Sequence, residues 1–178
     1  MVRLLGICGS ERKGSLNRAL LVAVGEVLPE GATLELWDSL VLPIFNSDHA
    51  EPPRVTELKQ AIAGADGVVF AVPEYNYSIP GGLKNALDWV SRPVVGSPLR
   101  GKRIGLVGAA SGMSGTIRAQ AHMRQILVFS DARLLGQPEV LIPRAQDRFD
   151  ATGRLADDST RELLAKFGAA LVALIARA

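Results

Sequence analysis

The chain has 178 residues, is 48% apolar and 21% charged, and carries a formal charge of +2 at pH 7. That length describes one domain, able to bury roughly two-thirds of its unfolded surface, while so small a charge gives no general attraction to nucleic acid or to an anionic membrane surface. A single cysteine, Cys8, excludes an internal disulfide and fits a reducing compartment, and no run approaches the ~20 apolar residues that span a bilayer, so the expectation is one cytoplasmic domain over residues 1–178.

The N-terminal apolar run is too short for a signal-peptide core and leads directly into Gly9-Ser10. Residues 2–8 read as a strand covered on both faces, apolar apart from Arg3. A loop over 9–14 opens a helix over 15–28, with Leu16, Leu20, Val24 and Val27 at helical spacing. Residues 32–37 alternate as a second strand, and a proline-bearing loop leads to a helix over 55–63. A third strand follows at 67–72, then a polar and aromatic loop at 73–82. The next helix spans 80–91 and is stopped by Pro93. Residues 103–109 form a fourth strand, 111–115 a Gly/Ser loop, 116–129 a helix, 134–142 a fifth strand and 159–175 a last helix. Asp157 and Asp158 stand at the positive end of that last helix.

Strands alternating with helices predict an α/β fold with a parallel sheet. Of the common doubly wound orders, the flavodoxin-like 2-1-3-4-5 places a ligand crevice where the first and third strands part. Its ligand loops follow strands one, three and four. Those are the three segments richest in Gly, Ser, Asn and Tyr here, so the expectation is a three-layer sandwich with helices on both faces of a five-stranded sheet.

The first loop, Gly9-Ser10-Glu11-Arg12-Lys13-Gly14-Ser15-Leu16-Asn17, joins a buried strand to a helix N-terminus. Free amides and partial positive charge suit a phosphate there. Ser10, Ser15 and Asn17 add neutral donors, and Arg12 adds a charged fork. Gly9 and Gly14 have P-loop spacing, but Ser15 and Leu16 stand where that motif needs Lys and Ser/Thr. The glycines also fail the dinucleotide fingerprint. The alternative is structural: Ser15 as an N-cap and Arg12 as a solvated charge.

The second loop, Pro73-Glu74-Tyr75-Asn76-Tyr77-Ser78, holds the only two tyrosines of the chain. Tyr75 or Tyr77 offers a flat apolar surface, and the backbone of Glu74, Tyr75 and Asn76 offers a polar edge, as an isoalloxazine ring requires. Pro80, Gly81 and Gly82 serve the turn into the helix. Lys84 and Asp88 have the spacing of a surface pair. In the third loop, Gly112 and Gly115 allow close approach of backbone to a planar ligand. His49 and His122 have no metal-ligand spacing to Cys8, so no metal site is expected. Nor is a catalytic nucleophile, since flavin chemistry needs none. Arg118, Gln120, His122 and Arg124 read equally as a solvated face, an oligomer contact or a pyridine-nucleotide phosphate site.

These residues resemble the NADPH-dependent FMN reductase family, in its branch of chromate, quinone and azo reductases. The resemblance runs through Gly9-Ser10-x-Arg12-x-x-Ser15-x-Asn17, Leu42-Pro43, Asn46, the long stretch Pro73-Glu74-Tyr75-Asn76-x-Ser78-x-Pro80-Gly81-x-Leu83-Lys84-Asn85-Ala86-x-Asp88-Trp89, and Ser111-x-x-Ser114-Gly115 with Arg118-Ala119-Gln120. It implies bound FMN, with Ser10, Arg12, Ser15, Leu16 and Asn17 at the phosphate. It implies Pro73, Glu74, Tyr75, Asn76 and Ser78 at the ring, with Ser111 and Gly112 nearby. It also implies a homodimer or homotetramer, and ping-pong turnover from NADPH or NADH to a small-molecule acceptor. Two positions depart from the family pattern, Glu11 beside the phosphate loop and Thr116 after Gly115. An electron carrier of this fold, the main alternative, is usually strongly acidic, which +2 is not; a non-catalytic phosphate-ligand domain does not require the tyrosine loop.

Overall fold

The computed structural model describes residues 1–177. Its strands are β1 (Val2–Cys8), β2 (Ala32–Leu36), β3 (Gly67–Ala71), β4 (Arg103–Ala109), β5 (Arg133–Leu134) and β6 (Val140–Ile142). Its helices are α1 (Leu16–Glu26), α2 (Pro53–Gly64), α3 (Gly81–Val90), α4 (Ile117–Phe129) and α5 (Asp158–Ala176). The sheet is parallel, in the order β2-β1-β3-β4-β5, with β6 also paired to β4. This is the flavodoxin-like order expected from the sequence.

The layers follow from alternation along the strands. In β1, Leu4 and Cys8 face α1 and α5, packing with Leu20, Leu21, Val24, Leu164, Phe167 and Leu171. Leu5 and Ile7 face the opposite layer, with Leu58, Ile62, Leu83, Leu87, Met123 and Leu127 of α2, α3 and α4. β3 is buried along its whole length. β2, at the edge, buries only alternate residues, which is why its sequence alternates. At Gly105 an added Cβ would lie 2.4 Å from the Phe167 ring. The missing side chain is what lets that ring lie flat on the sheet.

One expected strand is two. The 134–142 segment pairs with Arg103 and Ile104 through β5, and with Val107, Gly108 and Ala109 through β6. Gly136 and Pro138 lie between the two. Proline lacks the N–H that the ladder needs, so the chain leaves the sheet and returns in the same lane. Helix bounds shift by smaller amounts. Proline at 29 disfavours helical geometry at Leu28, and α1 ends at Glu26. α2 starts earlier than expected, with Pro53 at the first helical position, where its missing amide costs nothing.

α5 is capped by Asp157. Its carboxylate accepts from the Ser159 hydroxyl at 2.6 Å, from the Thr160 hydroxyl and amide at 2.7 and 2.8 Å, and from Arg148 at 2.7 Å. The two hydroxyls first, then the amide, hold this carboxyl well below the usual carboxylate range. A depressed folded-state pKa contributes stability that is present above about pH 5 and is lost as the pH falls below about 4. Asp157→Ala is therefore expected to remove about 1–2 kcal/mol at pH 7, lowering Tm by roughly 2–8 °C. In thermal melts the gap to the parent protein should narrow below pH 4. Among the described residues no helix is long and apolar enough to cross a membrane.

Candidate functional site

The first, second and third loops leave the carboxyl ends of β1, β3 and β4 and meet at one cleft of about 550 Å³. Ser10, Arg12, Ser15, Leu16, Asn17, Pro73, Glu74, Tyr75 and Ser111 line it, together with Gly14, Ala109, Ala110 and Gln146. That volume suits a cofactor-sized ligand. Of the residues expected at the site, Asn76 lines an adjoining hollow with Glu74 and Tyr77. Ser78 and Gly112 flank the cleft without lining it. Ser78 closes the second loop by pairing with Tyr75, and the Gly112 carbonyl accepts from the Arg144 amide.

At the first loop the helix start is half-occupied. Ser15 Oγ accepts from the Arg18 amide at 3.3 Å, so it is the N-cap of α1, while its own O–H still lines the cleft. The first amides of a helix have no intrahelical acceptor, which leaves those of Leu16 and Asn17 for a ligand. Arg12 is exposed, and among the described residues no carboxylate lies within ion-pair distance of it. Ser15 is thus the N-cap and also lines the cleft, and Arg12 is an uncommitted cation.

Asn17 differs from expectation. Its side chain is buried and makes a two-point contact with the end of β4, donating to the Ala109 carbonyl at 2.8 Å and accepting from the Ala109 amide at 3.0 Å. The side-chain amide ties the start of α1 across β3 to the third loop, so what Asn17 offers the cleft is its backbone N–H. Glu11 also differs. Its carboxylate accepts from the Ser39 hydroxyl at 2.8 Å and the Leu40 amide at 2.6 Å. The negative charge is thereby committed to the segment after β2. Gly9 is a packing glycine, since a Cβ there would press on Pro73 and Leu83. At Gly14 the same atom would meet nothing within 4 Å.

Cys8 lies under this loop. Its sulfur accepts from the Ser10 amide at 3.5 Å and approaches Ser15 Oγ at 3.8 Å. Burial pushes the thiol up from its ordinary value, so it stays protonated at neutral pH and acts as a small core group.

The second loop turns on Asn76 and Tyr77, both left-handed, at φ 50° and 64°. Tyr75 and Ser78 exchange backbone bonds of 2.9 and 3.0 Å across them. This is the geometry of a primed two-residue turn, in which Asn is favoured at the first position and an aromatic residue at the second is strained. The Arg118 guanidinium covers the Tyr77 ring at 4.3 Å. Tyr77 lines the adjoining hollow, and Tyr75, 45% exposed, is the ring that lines the cleft.

Glu74 carries a role that the sequence did not disclose. Its nearly buried carboxylate accepts from the amides of Arg118 and Ala119, at 3.1 and 3.4 Å, and pairs with the Arg118 guanidinium at 3.0 Å. Thr116 makes no cap bond, so a residue of the second loop caps α4 from 44 positions away. All four residues of the α4 quartet have partners within the chain. Arg118 is paired with Glu74. Gln120 is buried, bonding Thr116 Oγ1 and the Val140 carbonyl. His122 meets Ser78 Oγ at 2.9 Å, and Arg124 reaches the Leu135 carbonyl and Glu139. Thr116 fits because Gly108 has no side chain; a Cβ there would overlap Thr116 Oγ1. Asn85 and Trp89 hold the carbonyl of Pro43, and Trp89 meets Phe45 edge to face. They shape the segment after β2 and do not line the cleft. Lys84 and Asp88 form the expected surface pair, at 2.7 Å.

The cleft gathers a cation, hydroxyls and helix-start amides on its first-loop side, and Pro73 and Tyr75 on its second-loop side. An uncommitted guanidinium, two hydroxyls and two helix-start amides suit a dianionic phosphate. Tyr75, with the backbone of Pro73, Glu74 and Ser111 beside it, suits a ring with a polar edge. A phosphorylated flavin meets both requirements. Among the described residues no group of His, Cys, Asp and Glu is placed to hold a metal ion.

Known proteins share this sequence pattern and fold. The family model described as NADPH-dependent FMN reductase matches residues 2–147. An NAD(P)H-dependent FMN reductase of Pseudomonas aeruginosa is 48% identical over 166 residues, covering 92% of this chain and 89% of that protein. A quinone reductase of Escherichia coli K12 is 37% identical over 169 residues, covering 92% and 89%. Among solved structures, the flavoenzyme NAD(P)H:(acceptor) oxidoreductase FerB of Paracoccus denitrificans superposes with a TM-score of 0.90 at 31% identity, covering 99% of this chain and 98% of that one.

Proposed function

The chain belongs to the NADPH-dependent FMN reductase family, and from that premise we propose that residues 1–178 form one cytoplasmic domain that binds FMN and reduces small acceptors at the expense of NAD(P)H. The observation that carries the reading is the convergence of an uncommitted Arg12, the α1 start and the ring of Tyr75 in one cleft.

When bound, FMN supplies the hydride chemistry, accepting two electrons from a pyridine nucleotide and passing them on. The chain's own residues bind and orient. Arg12, the hydroxyls of Ser10 and Ser15, and the amides of Leu16 and Asn17 hold the phosphate. Pro73, Glu74, Tyr75 and Ser111, which line the cleft, would frame the ring, with Asn76, Ser78 and Gly112 nearby. Glu74 orients its own loop through its grip on α4. No side chain is needed as nucleophile. The resemblance supports a ping-pong order, with donor and acceptor using the cleft in turn, and a homodimer or homotetramer. Quinones head the list of acceptors, since relatives are named for them; chromate and azo compounds are equally accessible to a reduced flavin.

Steady-state kinetics test this reading. FMN-loaded protein should oxidise NADPH or NADH in the presence of a benzoquinone, with parallel double-reciprocal plots. Loaded protein that oxidises neither nucleotide contradicts it.

A further inference from the structure

We propose that Arg144 is the contact for a phosphate of the pyridine-nucleotide donor, an assignment that rests on reading the cleft as an FMN site. The segment after β6 runs alongside the third loop. The Arg144 amide donates to the Gly112 carbonyl at 3.1 Å, and the Ala145 amide to that of Ala110 at 2.9 Å. Ala110, a partner in this contact, and Gln146 line the cleft, and Arg144 stands just outside its lining, two positions before Gln146. Nothing local in residues 143–146 marks this fourth segment.

Arg144 sits in it at φ 45°, ψ 47°. A long side chain has no local reason to adopt the left-handed region, unlike Asn76 in its turn, and such residues concentrate where a ligand is held. The side chain is exposed and anchored only through Nε, 3.0 Å from the sulfur of Met113, a weak acceptor. Its two terminal amino groups are left as a fork. Among the described residues no carboxylate lies within ion-pair distance of them.

The other guanidiniums in this region are committed. Arg118 is held by Glu74, Arg148 by Asp157, and Arg18 by the carbonyls of Trp37 and Asp38. Two remain, Arg12 on the first loop and Arg144 beside the third. FMN has one phosphate, and the first loop provides for it. The second fork matches a second phosphate-bearing ligand, and in the proposed reaction that ligand is the pyridine nucleotide. A guanidinium suits it because its planar fork meets phosphate oxygens in pairs.

The test uses FMN-loaded full-length protein and the oxidised nucleotides NADP⁺ and NAD⁺, so that binding is read without turnover. Arg144→Asn keeps a residue tolerant of the left-handed region; Arg144→Lys keeps the charge without the fork. By calorimetry, Arg144→Asn should weaken nucleotide binding about 10- to 100-fold, and Arg144→Lys should weaken it less. Loss confined to NADP⁺ assigns the contact to the 2′-phosphate, and equal loss for both assigns it to the diphosphate. Unchanged affinity for both nucleotides overturns the proposal. So does a loss of FMN affinity in the variants with nucleotide binding intact, which would give Arg144 to the flavin phosphate. A parent protein that takes up no FMN fails at the loading step, and that result removes the reading of the cleft itself.

Discussion

Arg12→Ala is expected to weaken FMN binding by about 1.5–3 kcal/mol, or roughly 10- to 150-fold in Kd. The size follows from what Arg12 does in the folded chain. It has no carboxylate partner among the described residues, so its removal breaks no internal ion pair. It is exposed, so no packing is lost either. The whole effect should appear in ligand affinity, with Tm of the flavin-free protein unchanged within about a degree. It should also be screened by salt, because the contact is between charges near the surface. Fluorescence titration of FMN checks both, and an unchanged Kd would place the phosphate elsewhere.

Asn17→Ala is expected to behave in the opposite way. The substitution leaves the buried N–H and C=O of Ala109 without their partner. Unsatisfied buried polar groups cost about 1–3 kcal/mol each, so about 2–6 kcal/mol of stability should be lost, a fall in Tm of roughly 4–24 °C. The loss should be present in flavin-free protein, which separates Asn17 from Arg12. Asn17→Asp should also destabilise, since a carboxylate cannot donate to the Ala109 carbonyl. Thermal melts of the two variants without FMN decide the matter. A melt like that of the parent would return Asn17 to the ligand.

The contrast between these residues shows where sequence reading stops. Both stand in one loop at a helix start, with polar side chains at ligand-motif spacing. What distinguishes them is the position of Ala109, 92 residues away. The fold was legible because its signals are local: continuous apolar runs for β1, β3 and β4, alternation for β2, helical spacing in α1. The split of β5 from β6 was also written locally, in Gly136 and Pro138, but the apolar residues on either side read as one strand. Glu74 capping α4, Glu11 holding Ser39 and Leu40, and Gln120 lying buried under Gly108 had no local signal. Each depends on which loop ends arrive beside which helix. Choosing Tyr75 over Tyr77 likewise required knowing which of the two rings lines the cleft.

Arg144 belongs to the same class. In the sequence it is one arginine among many in a polar stretch. It becomes notable only when the left-handed backbone, the bonds to the third loop and the lack of a partner are seen together.

On the proposed function, the three loops form a site for a phosphorylated flavin. Equilibrium titration of flavin-free protein with FMN and with riboflavin tests it most directly, because the two ligands share the ring and differ in the phosphate. Binding of one FMN per chain, with riboflavin bound at least about 100-fold more weakly, is the predicted result. Equal affinity for the two, or no binding of FMN, would contradict it.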